Sequence, residues 1–137
     1  LVFYAAVMRE MGDRARLYLA RVGGEVVAGI IVIDWGDTAI YYYGASSSAD
    51  RKSYASYLLQ WRAILEAKER GLKVYDFFGV APEGDSGHAW AGVTQFKTRF
   101  GGKRVEYEAA KVIVFRPWAY RAYRALKYAL RIWRAFS

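Results

Sequence analysis

"TAIYYYGASSSADRKSYASYLLQWRAILEAKERGLKVYDF", residues 38–77, changes its hydrophobic period twice. The first eight residues, "TAIYYYGA", are β-branched and aromatic, as in a strand. From residue 46 the period lengthens. Tyr54, Tyr57, Leu58, Trp61, Ile64, Leu65 and Lys68 recur at spacings of three and four. That spacing predicts an amphipathic helix over 46–71, with Ser48 and Asp50 as cap residues and Gly71 as its stop. "LKVYDFFGV" (72–80) returns to strand character. Strand, helix, strand is a crossover, and a crossover joins parallel strands.

Working outward, "ARLYLARV" (15–22) and "EVVAGIIVID" (25–34) read as strands flanking the turn Gly23-Gly24. Gly36-Asp37 marks a second turn. A helix is expected at 2–12, a loop at 81–89, a short helix at 90–100 and a strand at 104–115. A last helix opens at Pro117, a residue suited to a first helical turn. Hairpins followed by a crossover predict an α/β (α+β) chain. Its sheet would be mixed, mostly antiparallel and flanked by helices.

Composition removes several chemistries. The 137 residues contain no cysteine and one histidine, His88. Disulfides, thiolate metal sites and cysteine nucleophiles are excluded, and so is a multi-histidine metal centre. No apolar run reaches the ~18 residues of a membrane span. The chain opens without methionine, inside helical patterning, and is expected to be a piece of a longer protein. Two units are expected: residues 1–115, and a helical tail over 116–137.

Charge is concentrated in that tail. Residues 116–137 carry Arg116, Arg121, Arg124, Lys127, Arg131 and Arg134 and no acid, six of the eight net positive charges. The remaining fifteen basic and thirteen acidic residues leave +2 for residues 1–115. At about 100° per residue, Arg121, Arg124, Lys127, Arg131 and Arg134 share one side of a helix. Leu126, Ala129, Leu130, Ile132, Trp133 and Phe136 lie largely on the other. Such a helix fits the anionic inner leaflet of a membrane, a further protein domain, or tRNA phosphate.

The crossover unit resembles the core of the Gcn5-related acyltransferase (GNAT) fold. In acetyl-CoA users of that fold, a glycine-containing turn before the helix holds the pyrophosphate. Here the turn is "GASSSADRKSYA" (44–55), without the second and third glycines. Acetyl-CoA-dependent N-acetylation is therefore the alternative function, and a non-catalytic membrane- or RNA-binding module is another.

Three further stretches are "YDFFGV" (75–80), "GVTQFKTRFGG" (92–102) and "VEYEAA" (105–110). Together they resemble the second domain of the Fem peptidyltransferases (FemA/FemB/FemX). The family pattern is Tyr-Asp-Phe-Gly-Gly, a variable loop, Phe-Lys-x-x-Phe-Gly-Gly, then Glu-Tyr. Tyr75, Asp76, Phe77, Phe96, Lys97, Phe100, Gly101, Gly102, Glu106 and Tyr107 match it; Phe78 stands where the pattern has its first glycine.

The resemblance implies the second of two acyltransferase-like domains. The implied reaction adds an amino acid from aminoacyl-tRNA to the stem peptide of a peptidoglycan precursor. That precursor is either lipid II or a UDP-linked muropeptide. It implies no metal or organic cofactor, and a cytoplasmic protein, peripheral on the inner face of the membrane if the tail binds there. It also implies that the Lys97 ammonium and the Phe96 backbone N–H stabilise the oxyanion of the transfer. Read without the family, Lys97 is first of all a solvated helix lysine, as most lysines are, with a counter-charge for tRNA phosphate as a further reading. Asp76 and Tyr75, Tyr43 and Arg99 are the candidate substrate contacts. Asp76 has a competing reading as a cap of the loop that follows it. The three tyrosines 41–43 have one as sheet packing, alternating between its two faces.

Overall fold

The computed structural model describes residues 2–48, 53–108 and 111–135, the side chains of 133–135 excepted. In chain order come α1 (Val2–Met11), β1 (Ala15–Val22), β2 (Glu25–Trp35), β3 (Thr38–Ser46), α2 (Ala55–Glu69), β4 (Val74–Asp76), α3 (Ala91–Thr98) and α4 (Pro117–Ala135). The sheet runs β1-β2-β3-β4, antiparallel except for the parallel β3–β4 pair. The expected mixed, mostly antiparallel sheet is present. By chain contacts the residues divide into Leu1–Gly101 and Gly102–Ser137.

β2 is the central strand. Ile30, Ile31, Val32 and Ile33 are all buried, so both faces of the strand are covered. On one face Ala28, Ile30, Val32 and Ala39 meet Ala55, Leu59, Ala63 and Ala67 of α2. On the other, Ala15, Ile31 and Ile33 meet Tyr4, Val7, Met8 and Met11 of α1, and Tyr42.

The buried stripe of α2 is not the expected one. Leu58, Trp61 and Leu65 are exposed, while the helix turns Ala55, Leu59, Ala63 and Ala67, at spacings of four, to the sheet. Three alanines and a single leucine fill that contact, so little side-chain volume stands between the helix and the strands. The helix also starts later than expected. Its N-cap position is Tyr54, Ser48 lies six residues earlier, and Asp50 falls outside the described residues. At the other end Arg70 grips Asp34 of β2 with two hydrogen bonds, 3.0 and 3.2 Å, and Arg16 of β1 donates to the same carboxylate at 2.6 Å. One acid thus ties two strands to the end of α2.

Two strand expectations need correction. The strand expected at 72–80 keeps only Val74–Asp76. The Asp76 carboxylate accepts the Phe78 N–H at 2.7 Å, and Phe78 takes φ +62°, which turns the chain out of the sheet. The strand expected at 104–115 is absent among the described residues. Its β-branched run lacks what a strand needs besides composition, a ladder partner: the sheet consists of β1–β4.

α4 opens with Pro117 as expected, and the Tyr120 N–H closes its first turn on the Arg116 carbonyl at 3.0 Å. Arg121, Arg124, Lys127 and Arg131 lie on it; the Arg134 side chain is outside the described residues.

Candidate active site

Lys97 is buried, at 8% exposure, inside an eight-residue helix. Burying a lysine costs free energy unless the ammonium is held. Its Nζ donates to the Gly79 carbonyl at 2.7 Å and lies 5.5 Å from the centre of the Tyr41 ring. A carbonyl dipole and an aromatic face both favour a cation without neutralising it. Burial pushes the Lys97 pKa below its ordinary value, and the Asp76 carboxylate pulls it partly back.

The phenylalanines of the Phe-Lys-x-x-Phe element explain why α3 sits where it does. Phe96 lies on α3, and Phe100 lies two residues past its end, in a turn closed by the Phe100 N–H on the Lys97 carbonyl at 3.2 Å. The Tyr57 ring of α2 packs on both, at 4.8 Å and 5.5 Å. Phe77, just after β4, adds a contact to Phe100 at 5.1 Å and one to Tyr75 at 5.1 Å. This aromatic cluster pins α3 across α2 and the end of β4, and Lys97, next to Phe96, is carried to the Tyr41 ring. The loop after β4 is pinned as well: the Ala81 N–H donates to Thr94 Oγ1 at 2.8 Å.

The other expected site residues divide. Asp76 acts on the Lys97 ammonium through its charge, and one of its oxygens caps the turn at Phe78. The Tyr75 hydroxyl donates to Oε1 of the fully buried Gln60 at 2.7 Å, and burial drives its pKa upward. Tyr75 therefore supports the site from behind. Arg99 donates to the Tyr57 hydroxyl at 2.9 Å, on the aromatic cluster.

The Phe96 amide is placed less simply. Phe96 is the sixth residue of α3, and the free N–H groups of a helix belong to its first turn. Helix geometry directs the Phe96 N–H to the carbonyl of Gly92.

Tyr43 is not brought to Lys97. A bulge between Ile31 and Val32 sets Ile31 opposite Tyr43 and Val32 opposite Tyr41, so Tyr42 is the additional residue. The expected alternation stops there. Tyr43 shares the face of Ile31 and stacks on Tyr4 of α1, ring centres 4.2 Å apart. Tyr41 shares the face of Val32 and α2. The tyrosine that meets Lys97 is therefore Tyr41. One signal for it was present: Gly44, where a Cβ would come within 2.0 Å of the Tyr41 hydroxyl oxygen.

Beside the cluster, between the end of β3 and the start of α2, lies a cleft of about 150 Å³ lined by Ser46, Ser47, Tyr54, Ser56, Tyr57 and Phe96 among others. His88 accepts the Trp90 N–H at Nδ1, 3.1 Å, as a loop residue.

Comparison with known proteins agrees with this geometry. The ribosomal-protein-alanine N-acetyltransferase of Brucella melitensis biovar Abortus 2308 superposes with a TM-score of 0.58, at 15% identity, over 82% of this chain and 79% of that one. The fold is thus that of the GNAT acyltransferases. The FemX crystal structure superposes with a TM-score of 0.50, at 25% identity, over 70% of this chain and 21% of that one. Aminoacyltransferase FemA of Staphylococcus aureus is 34% identical over 88 residues, 64% of this chain. The chain spans about a fifth of the curated relatives it matches, 21% of their length. The FemAB family profile matches residues 3–128. A buried lysine set by Phe96 and Phe100 on an acyltransferase sheet, and a match over nearly the whole chain, place this protein in the FemAB family.

Proposed function

We propose that this chain supplies the acyl-transfer centre of an aminoacyltransferase. The donor is an aminoacyl-tRNA, and the acceptor is an amine on the stem peptide of a peptidoglycan precursor. The observation that carries the reading is the Lys97 ammonium, buried and held by a carbonyl and a ring rather than by a carboxylate. Family membership supplies the reaction class, and the relative named aminoacyltransferase FemA agrees with it.

The chemistry asks for a fixed positive group. The acceptor amine attacks the ester carbonyl of the aminoacyl-tRNA and forms a C–N bond. The carbonyl oxygen becomes an oxyanion. Collapse of the intermediate breaks the ester C–O bond, and the terminal ribose oxygen leaves as a hydroxyl after taking up the proton lost by the amine. Of the three ammonium donors of Lys97, one is used on Gly79, and the others serve the oxyanion. Burial strengthens that interaction, because little water competes. Asp76, opposite in charge, offsets part of the lowering that burial imposes on the lysine's pKa. A donor held on tRNA places the reaction in the cytoplasm. The share of the relatives' length that this chain spans leaves room for a further domain, to which the reading assigns most of the precursor contacts.

The test is transfer of a radiolabelled amino acid from aminoacyl-tRNA to the precursor by the protein that carries this chain, against its Lys97→Ala variant. Transfer undiminished in the variant removes Lys97 from the mechanism. Micromolar binding of acetyl-CoA would favour the N-acetyltransferase alternative instead.

A further inference from the structure

α4 separates its residues by chemistry around the helix. On a wheel of about 100° per residue, Arg121, Arg124, Lys127 and Arg131 occupy a sector of roughly 120°. Trp118, Ala122, Ala125, Leu126, Ala129, Leu130 and Ile132 occupy the opposite side, a sector of roughly 160°. No acid interrupts the helix. Two cations are steadied along its surface: Arg124 lies 6.0 Å from the Tyr120 ring, and Lys127 5.9 Å from the Tyr123 ring.

We propose that α4 is an interfacial helix that lies on an anionic lipid surface. Its apolar sector sinks to the acyl boundary, and its cations meet the headgroups. The helix does not cross the membrane. Among the described residues no helix is long and apolar enough to do so. Two features favour lipid over RNA. Phosphate contacts need cations alone, and they leave a Trp- and Leu-bearing sector without use. Tyrosines beside the cations suit the headgroup level, where one end of the ring is apolar and the other wet. Packing on another protein would use the apolar sector, but it gives no reason for an opposite face whose charges are all positive and whose neutral side chains include Tyr120 and Tyr128. Charge complementarity therefore points to lipid. The inference does not depend on the role of Lys97.

The experiment is co-sedimentation of the 137-residue chain with vesicles. One set holds phosphatidylglycerol and phosphatidylcholine, the other phosphatidylcholine alone. Each cation near an anionic surface strengthens binding roughly fivefold. Binding to the anionic vesicles should exceed binding to the neutral ones by at least about 100-fold and weaken steeply with salt. R124E/K127E/R131E should abolish the preference. L126S/L130S should weaken binding about tenfold or more at unchanged charge.

The lipid and salt series on the unaltered chain needs no variant, so a variant that misfolds does not remove the test. Equal binding to both vesicle types overturns the proposal. So does an L126S/L130S variant, folded by circular dichroism, that binds as before. Bulk tRNA that binds tightly and ignores that substitution would make the helix an RNA contact and overturn it as well.

Discussion

Lys97→Met separates function from stability. Methionine keeps the unbranched apolar stem and removes the charge. Three contributions change with it. The hydrogen bond to Gly79 is lost, about 1.5–3 kcal/mol for a charged donor. The attraction to the Tyr41 ring goes too, about 1 kcal/mol. Against these, the desolvation of a buried ammonium disappears, a cost of several kcal/mol before compensation. Gly79 is itself exposed, so water can satisfy its carbonyl. The opposing amounts are comparable, and the variant should match the parent within about 1 kcal/mol in urea unfolding.

Transfer, by contrast, should fall about 10²–10³-fold in kcat, the usual loss when an oxyanion donor is removed. Linkage gives a second readout. The folded-state pKa of Lys97 lies below the unfolded value of 10.5. Between the two, the unfolded chain binds more protons, so stability rises with pH; below the folded value the full penalty stands. The stability of the variant relative to the parent should be greatest near neutral pH and fall as pH approaches 10.5. Tyr41 and Tyr75, both raised by burial, oppose this above pH 10, but they do so in both proteins and cancel in the difference. A variant that loses 3 kcal/mol or more while transferring within tenfold of the parent would make Lys97 a packing residue and refute the reasoning.

Three other substitutions follow from the same geometry. Phe78→Gly should stabilise the chain by about 1 kcal/mol, read as a higher urea midpoint, because φ +62° strains a side chain that is 60% exposed and packs little. Tyr41→Phe should retain most transfer, since the ring face holds the ammonium. Tyr41→Leu should cost about tenfold in kcat with KM little changed and shift the alkaline limb of the pH profile. Asp34→Asn should lower stability by about 1–3 kcal/mol in urea, as Arg16 and Arg70 lose a shared, partly buried counter-charge.

The parts of the fold that depend on period were legible: β1, β2, β3, the existence of α2 and α3, and Pro117 at the head of α4. The misread parts depend on partners. The large residues of α2 suggested its buried face, but the stripe on the sheet is Ala55, Leu59, Ala63 and Ala67, and Leu58 and Trp61 point away. Residues 104–115 have strand composition, and those of them that are described have no ladder. β4 is cut short by an Asp76 side chain that prefers the Phe78 N–H to solvent. The bulge in β3 is an offset between two strands, which strict alternation does not foresee, and it leaves Tyr41 rather than Tyr43 beside Lys97.

The bulge also explains how an ordinary lysine becomes a special one. Without it, strict alternation would return Tyr43 to the face of Tyr41, next to α2. With it, Tyr42 and Tyr43 are both given to α1, and Tyr41 is the last tyrosine of the run on the α2 face. Its ring then lies over Gly44, where a Cβ would displace it, and meets Lys97. The family motif places the lysine on α3; the register of β3 decides what it meets. Gly44→Ala tests that separation. Its Cβ would lie 2.0 Å from the Tyr41 hydroxyl oxygen, so the ring must swing away while α3, held by Phe96 and Phe100, stays. Transfer should then fall as it does in Tyr41→Leu. A Gly44→Ala protein with the parent's kcat would show that the ring is not what holds the ammonium.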